Sequence, residues 1–574
     1  MATTTYEIYP AIGIARLGNS DKYFLAPEPA VPATAYYQSA ALPRPASTGP
    51  QLRDGSGPLD KFRDAGALKR QAVRFRVFEC TRDDNTKQLT GARELAPNTA
   101  TIEWTIHLAN RKAEGPRFIP VQNKPRRNHG YAPRNGLVID GQRQPLPAAG
   151  VAHTTIAGAF KGNPVEIAEA WVENDRRLYV CAAQGESRSP SNAAIGTFAD
   201  NDDWYDRTCD GPVFAKVTIG NNQFDATPAW VIVAPFDFAP HLASYITLYD
   251  VTYQAAAAKF HWPAPGPYQT DFERDIHPIL KRVRGYRWIH GPSMRAETQD
   301  RHTAWRDKLG IMADPNPINV EGAKWRKAMF AHLPDPADPD DAAKQKREVK
   351  MPRLFNHNYE FDPRGVGKTL PLTPIQYAHF RNWADGKFIS GAPVENEFLC
   401  DALTRVALEA CSGGAFYPGM EAPRIMRGPA QDPNQPDIYR DENTLPMRID
   451  PQKVQPGGIT QGLAVPWQAD FYECQMERDN AWWPATRPDH VLLSEPARAV
   501  DSQSEDMKRW DAGVADKKDM VNHWHQLGIV KKTPAQQANP QKMGADAEVD
   551  PVAGIMKYYF YLEDERDKQN FPRP

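Results

Sequence analysis

Thiol, indole and carboxylate side chains gather between Cys400 and Trp483, and chemistry is expected there. Cys411 ends a helix-like run and is followed by Ser412, Gly413 and Gly414. Trp467 follows Pro466 in the apolar-to-polar stretch Gly462–Asp470, and Trp482-Trp483-Pro484 comes shortly after. Three of the six cysteines (Cys400, Cys411 and Cys474) lie in this region. An ionised thiol is a nucleophile and a carboxylate can take a proton. Composition alone favours a plainer reading, with Cys411 a small buried apolar residue and Trp467 a core anchor.

The elements that would position these residues are legible in part. From Phe398 to Cys411 the spacing puts Leu399, Leu403, Val406 and Ala410 on one helical face, and Gly413-Gly414 ends the run. Thr373-Pro374 is a helix start, a cap followed by proline at the first helical position, with the helix running towards Trp383. Helical spacing also covers Tyr245–Phe260, Asp275–Trp288 and Glu505–Leu527. Earlier in the chain the period is two. Val73, Phe75 and Val77 alternate with arginines, Ile102, Trp104, Ile106 and Leu108 share a face, and further strands are expected at 176–183, 213–219 and 229–234. Residues 1–60 read as a short strand and a long ordered loop.

The expected class is therefore α+β. A β-rich N-terminal domain with long loops, of sandwich type, spans 1–240. A mixed, helix-containing C-terminal domain spans 241–574, with the candidate site at 398–490. Asp335–Asp341 reads as a solvated connection.

The 53 prolines in 574 residues agree with long irregular connections. Sixty-nine basic and 71 acidic side chains give no bulk charge for binding nucleic acid or an anionic membrane. No apolar run is long enough to span a bilayer, and the N-terminus has neither a basic nor an apolar leader segment. Sparse cysteines without a Cys-x-x-Cys pair argue against a disulfide scaffold or a structural zinc site. The expected setting is cytoplasmic, or exported without a recognisable signal. Gly367-Lys368-Thr369 lacks the glycine and strand of a phosphate loop, and His523-x-His525 has no evident third metal ligand.

The stretch from Cys411 to Trp467 resembles the L-lysine ε-oxidase and glycine oxidase family, whose members carry cysteine tryptophylquinone. The resemblance extends through Tyr9-Pro10-Ala11-Ile12-Gly13-Ile14-Ala15-Arg16-Leu17-Gly18-Asn19-Ser20, Trp204-Tyr205-Asp206 and Asp210-Gly211-Pro212-Val213. It continues in Asp275-Ile276-His277-Pro278-Ile279-Leu280 and Trp482-Trp483-Pro484 with Arg487-Pro488. It implies a tryptophan oxygenated twice and joined to a cysteine sulfur, giving an ortho-quinone that accepts a primary amine. The implied activity is oxidation of an amino acid's amine with O2, releasing an aldehyde or keto acid, ammonia and hydrogen peroxide.

On this resemblance the cofactor falls on Cys411 and Trp467, Asp470 joins them as a catalytic residue, and Tyr205 is the substrate-side residue. No metal is implied. Expected partners are the amine substrate, O2 and a separate flavoprotein that oxygenates the tryptophan, with a homo-oligomer open. The family tends to keep an acid four residues before the crosslinked cysteine, where this chain has Ala407. Asp470-x-x-x-Cys474 has that spacing and Trp482 follows, so Cys474 with Trp482 is a second pairing. Arg207 and Cys209 stand where acidic and hydroxyl residues are expected. No histidine lies between Cys411 and Trp467, which points away from glycine as substrate. The Ala407 position also motivates a different reading, a family member without the quinone that serves as a binding or structural protein.

Overall fold

The computed structural model describes residues 2–29, 41–43, 51–54, 57–59, 61–86, 88–121, 123–264, 269–289, 305, 308–337, 372–391, 396–413, 422–445, 447–473, 486–497, 506–543, 545–549 and 555–567. Cys474, Trp482, the Trp483-Pro484 pair, Gly367-Lys368-Thr369 and Gly414 lie outside the described residues.

The elements that bear on the site are the strands β1 (Ala2–Tyr9), β2 (Ile12–Arg16), β3 (Arg70–Asp83), β4 (Leu178–Ala182), β5 (Cys209–Ile219) and β6 (Ala229–Ala234). They are followed by the helices α1 (Leu248–Lys259), α2 (Leu399–Glu409), α3 (Trp467–Glu473) and α4 (Lys517–His523). The chain is thus α+β, with a β-rich N-terminal part and helices mainly C-terminal.

The N-terminal strands close into a barrel rather than the expected sandwich. The reason is β3. Its 14 residues are long enough to pair with β1 and Leu89–Glu94 over one part and with β4, Arg16 and Tyr23–Glu28 over another, so the sheet returns on itself. β2 and β6 run parallel, Ile12 opposite Trp230 through Arg16 opposite Ala234, and every residue in both is buried. Continuous apolar runs of this kind are what a strand covered on both faces requires.

Two other expectations change. Among the described residues of the N-terminal 60, β2 and the strand Tyr23–Glu28 follow β1, so more than one short strand is present. The region expected as a helix over Glu505–Leu527 is the strand Met507–Arg509, a turn, α4 and a short 3-10 turn at Trp524–Gln526. Gly513 at φ 99° breaks any continuous helix there, a conformation glycine adopts without steric cost.

The helices begin where their caps indicate. Thr373 closes a capping box with Gln376 and starts the helix Pro374–Ala384, and Thr247 does the same with Asp250 for α1. α2 buries Leu399, Leu403, Ala407 and Leu408 and is tied to the β1–β2 turn by the Ala11 N–H donating to Thr404 Oγ1 at 2.8 Å. Beyond its end the chain lies against residues 246–248. Leu248 N–H donates to Cys411 O at 2.9 Å and Gly413 N–H to Ile246 O at 2.8 Å.

This approach needs a glycine, because a Cβ on Gly413 would sit 2.0 Å from the Thr247 carbonyl oxygen, and backbone cannot swing aside. Gly413→Ala is expected to destabilise the protein by about 1–3 kcal/mol, the usual range for forcing an added carbon into a packed site. A urea unfolding midpoint unchanged from wild type would contradict this.

Candidate functional site

Cys411 sits just past the end of α2, 1% exposed, inside the main core. Its thiol donates back to the Ala407 carbonyl at 3.6 Å. On the other side Arg16, the last residue of β2, brings Nη2 to 3.4 Å from Cys411 Sγ. The same guanidinium donates to Pro235 O at 3.0 Å and Ala410 O at 3.2 Å and is itself 3% exposed. A positive charge this close to sulfur opposes the penalty that burial alone places on a thiolate.

Trp467 opens α3 and is fully buried in the same core. Its ring meets Phe471 edge-on at 4.9 Å and Trp524 edge-on at 5.1 Å. Among the described residues its indole Nε1–H has no acceptor. Buried indole N–H groups normally find one, so this orphan calls for an explanation at the site itself. Trp524 is in turn seated over Gly185, where a Cβ would come within 2.5 Å of the indole.

The backbone leading into Trp467 is held by groups from the barrel side. Val465 N–H donates to Ala199 O at 2.9 Å, and Asn201 Nδ2 donates to Val465 O at 3.0 Å. Lys112 Nζ donates to Ala464 O at 2.9 Å and to Asp206 Oδ2 at 2.8 Å, and Trp467 N–H donates to the same Asp206 oxygen at 3.2 Å. Asn110 Nδ2 and Thr208 Oγ1 satisfy Asp206 Oδ1. Upstream, Asp210 receives the Thr460 N–H and hydroxyl, the Ile459 N–H and the Trp230 indole N–H. Two carboxylates four residues apart thus fix the same incoming segment.

Lys112 and Asp206 are both wholly buried. Burial lowers the Lys112 ammonium below its ordinary range, with the Asp206 charge opposing that shift and Asp470 adding to the opposition. Burial likewise raises the Asp210 carboxyl to about 6 in spite of its donors. Asp470 lies in the first turn of α3, 1% exposed and within electrostatic reach of Lys112.

The site residues anticipated from sequence fall as follows. Cys411 and Trp467 share one core, and Asp470 shares the helix of Trp467. Tyr205 lays its ring against Phe160 at 5.2 Å, and the neighbouring Asp206 is the side chain that reaches Trp467. Arg207 pairs with Glu186, and the Cys209 thiol faces the Ile167 carbonyl in the barrel wall, where burial pushes it well above its ordinary range. His523, set aside as a ligand, pairs with Asp519 at 2.6 Å. Lys112, Asp206 and Arg16 were not singled out as functional. Asp206 and Arg16 stand inside the Trp-Tyr-Asp and opening stretches, which was the one available signal. Lys112 had none.

Comparison with known proteins gives a consistent result. The family described as L-lysine epsilon oxidase N-terminal matches residues 9–233, and the L-lysine epsilon oxidase C-terminal domain matches residues 356–494. The L-lysine 6-oxidase of Marinomonas mediterranea is 25% identical over 545 residues, covering 83% of this chain and 72% of that protein. The crystal structure of the Schiff base intermediate of the L-Lys epsilon-oxidase from the same organism with L-Lys aligns at a TM-score of 0.70 and 20% identity. It covers 98% of this chain and 95% of that one. A further structure of that organism's epsilon-lysine oxidase aligns at 0.71 and 21% with the same coverage. These structural likenesses show that the fold is shared.

Removing one member of a buried ion pair leaves the other charged and unpaired. Lys112→Met is therefore expected to cost about 3–5 kcal/mol of stability, and adding Asp206→Asn to it should restore part of the loss. Urea denaturation of the single and double variants checks this, and a double variant less stable than Lys112→Met would contradict it.

Proposed function

This chain belongs to the L-lysine ε-oxidase family, and on that premise we propose that it oxidises the primary amine of an L-lysine-like amino acid with a quinone built from Cys411 and Trp467. Membership makes it an oxidoreductase of the amino-acid oxidase class, acting on a small-molecule substrate. The single observation that carries the site assignment is Trp467 itself, a fully buried indole whose N–H has no acceptor among the described residues, in one core with a thiol held against a guanidinium. A fully buried ring in one core with the Cys411 thiol supplies the two side chains that such a quinone needs.

Cysteine tryptophylquinone, once formed, would supply an electrophilic carbonyl and a two-electron acceptor that unmodified side chains lack. The chain's own residues do the remaining work. Phe471 and Trp524 fix the ring plane by their edge-on contacts and keep water from it. Lys112 and Asp206 hold the backbone on either side of Pro466, so the ring has one position. Asp470 is the proposed proton acceptor, a buried carboxylate on the helix of Trp467 and within electrostatic reach of Lys112. Tyr205 remains the proposed substrate-side residue, one position from Asp206. O2 is the proposed oxidant, with ammonia and hydrogen peroxide as products, and a flavoprotein is the proposed maturation partner. Among the described residues no helix is long and apolar enough to cross a membrane.

The test is the absorption spectrum of protein co-expressed with its flavoprotein. A visible quinone band, bleached by excess L-lysine under nitrogen and absent from Trp467→Phe, is the expected result. A band bleached only by some other primary amine would overturn the lysine-like substrate. No band at all would overturn the quinone and favour the binding or structural reading that Ala407 motivates.

A further inference from the structure

We propose that Arg16 activates Cys411, holding its sulfur as the thiolate that is joined to the Trp467 ring. This deepens the reading above and rests on it.

The geometry is built for the purpose. Arg16 is the last residue of β2, opposite Ala234 of the parallel β6 and Gln71 of β3, so its backbone is fixed on both sides. The Pro235 and Ala410 carbonyls orient the guanidinium, and Nη2 lies 3.4 Å from Cys411 Sγ. Both residues are buried, so the charge acts on sulfur with little screening. At three other buried thiols of this chain burial prevails. Burial pushes Cys181 up to about 12 and raises Cys209 and Cys400 well above their ordinary range. Among the described residues, the cysteine sulfur that receives a guanidinium hydrogen bond is that of Cys411.

The position one helical turn earlier, where a carboxylate could serve as a base for the thiol, is Ala407. It offers only its carbonyl, at 3.6 Å. A cation lowers the cost of the thiolate without accepting the proton, so Arg16 supplies electrostatically what a base at 407 would supply chemically.

The step served is balanced with dioxygen as oxidant. The sulfur–carbon bond forms from the Cys411 thiolate, whose proton has already left the sulfur, as one ring C–H bond of Trp467 breaks. The two protons and two electrons pass to O2, giving hydrogen peroxide.

The experiment is intact-mass and peptide analysis of wild type, Arg16→Gln and Arg16→Lys, each co-expressed with the flavoprotein and checked for folding by thermal melting. Ring oxygenation adds two oxygens, and the thioether separately removes two hydrogens. Arg16→Gln keeps an amide donor for the carbonyls but loses the charge. Its crosslinked fraction is expected to fall about tenfold, as the loss of one charge-assisted hydrogen bond implies, while Trp467 still carries oxygen. Arg16→Lys should recover most of the crosslink, and alkaline maturation should raise the yield in Arg16→Gln, neither of which a merely structural role would produce.

Arg16→Gln crosslinked as fully as wild type overturns the inference alone. So does a folded Arg16→Gln that responds neither to alkali nor, through Arg16→Lys, to restored charge. If Arg16→Gln does not fold, Arg16→Lys against wild type decides, since a folded Arg16→Lys without crosslink overturns the role of charge. Wild type with neither oxygens nor thioether overturns the parent reading, and this inference with it.

Discussion

The buried ion pair between Lys112 and Asp206 is the constraint on which the rest of the site depends. Two charges removed from water are costly unless every remaining lone pair and proton is satisfied. Here Asn110 and Thr208 occupy one Asp206 oxygen, Lys112 and the Trp467 N–H share the other, and the Ala464 carbonyl takes a further Lys112 proton. The network is complete only when the loop before α3 is in place. Barrel and loop therefore stabilise one another, and the position of Trp467 follows from satisfying two charges rather than from packing alone.

The second arm of the site has a different origin. Cys411 is placed by α2 and by the close backbone contact at Gly413, and Arg16 meets it from the end of β2. A thiol and an indole separated by 56 positions in the numbering (411 and 467) are thus carried to one core by unrelated devices, a helix end on one side and a tethered loop on the other. Side chains held on rigid elements keep their geometry during chemistry, which is what a crosslinked ring and an oriented amine both require.

What could be read from sequence tracks the range of the interaction. The alternation at Val73–Val77 and the capping signal at Thr373-Pro374 are local, and both elements form as expected. Barrel closure was missed because it depends on how one long strand pairs along its length, which no window of sequence displays. The helix expected over Glu505–Leu527 failed locally, at Gly513, where backbone freedom outweighed the apolar spacing. Cys411 and Trp467 came from family resemblance, since buried cysteine and tryptophan are ordinary core residues. Lys112 was out of reach because its partner lies 94 residues away, and Arg16, though inside the opening stretch, gave no sign of a partner 395 residues away.

The measurement that tests the central claim most directly is a peptide map of the mature wild-type protein after reduction and digestion. The account predicts that the peptide holding Cys411 and the peptide holding Trp467 are recovered as one species, resistant to reduction and carrying two added oxygens. Recovery of the two as separate, unmodified peptides from protein matured with its flavoprotein would contradict it.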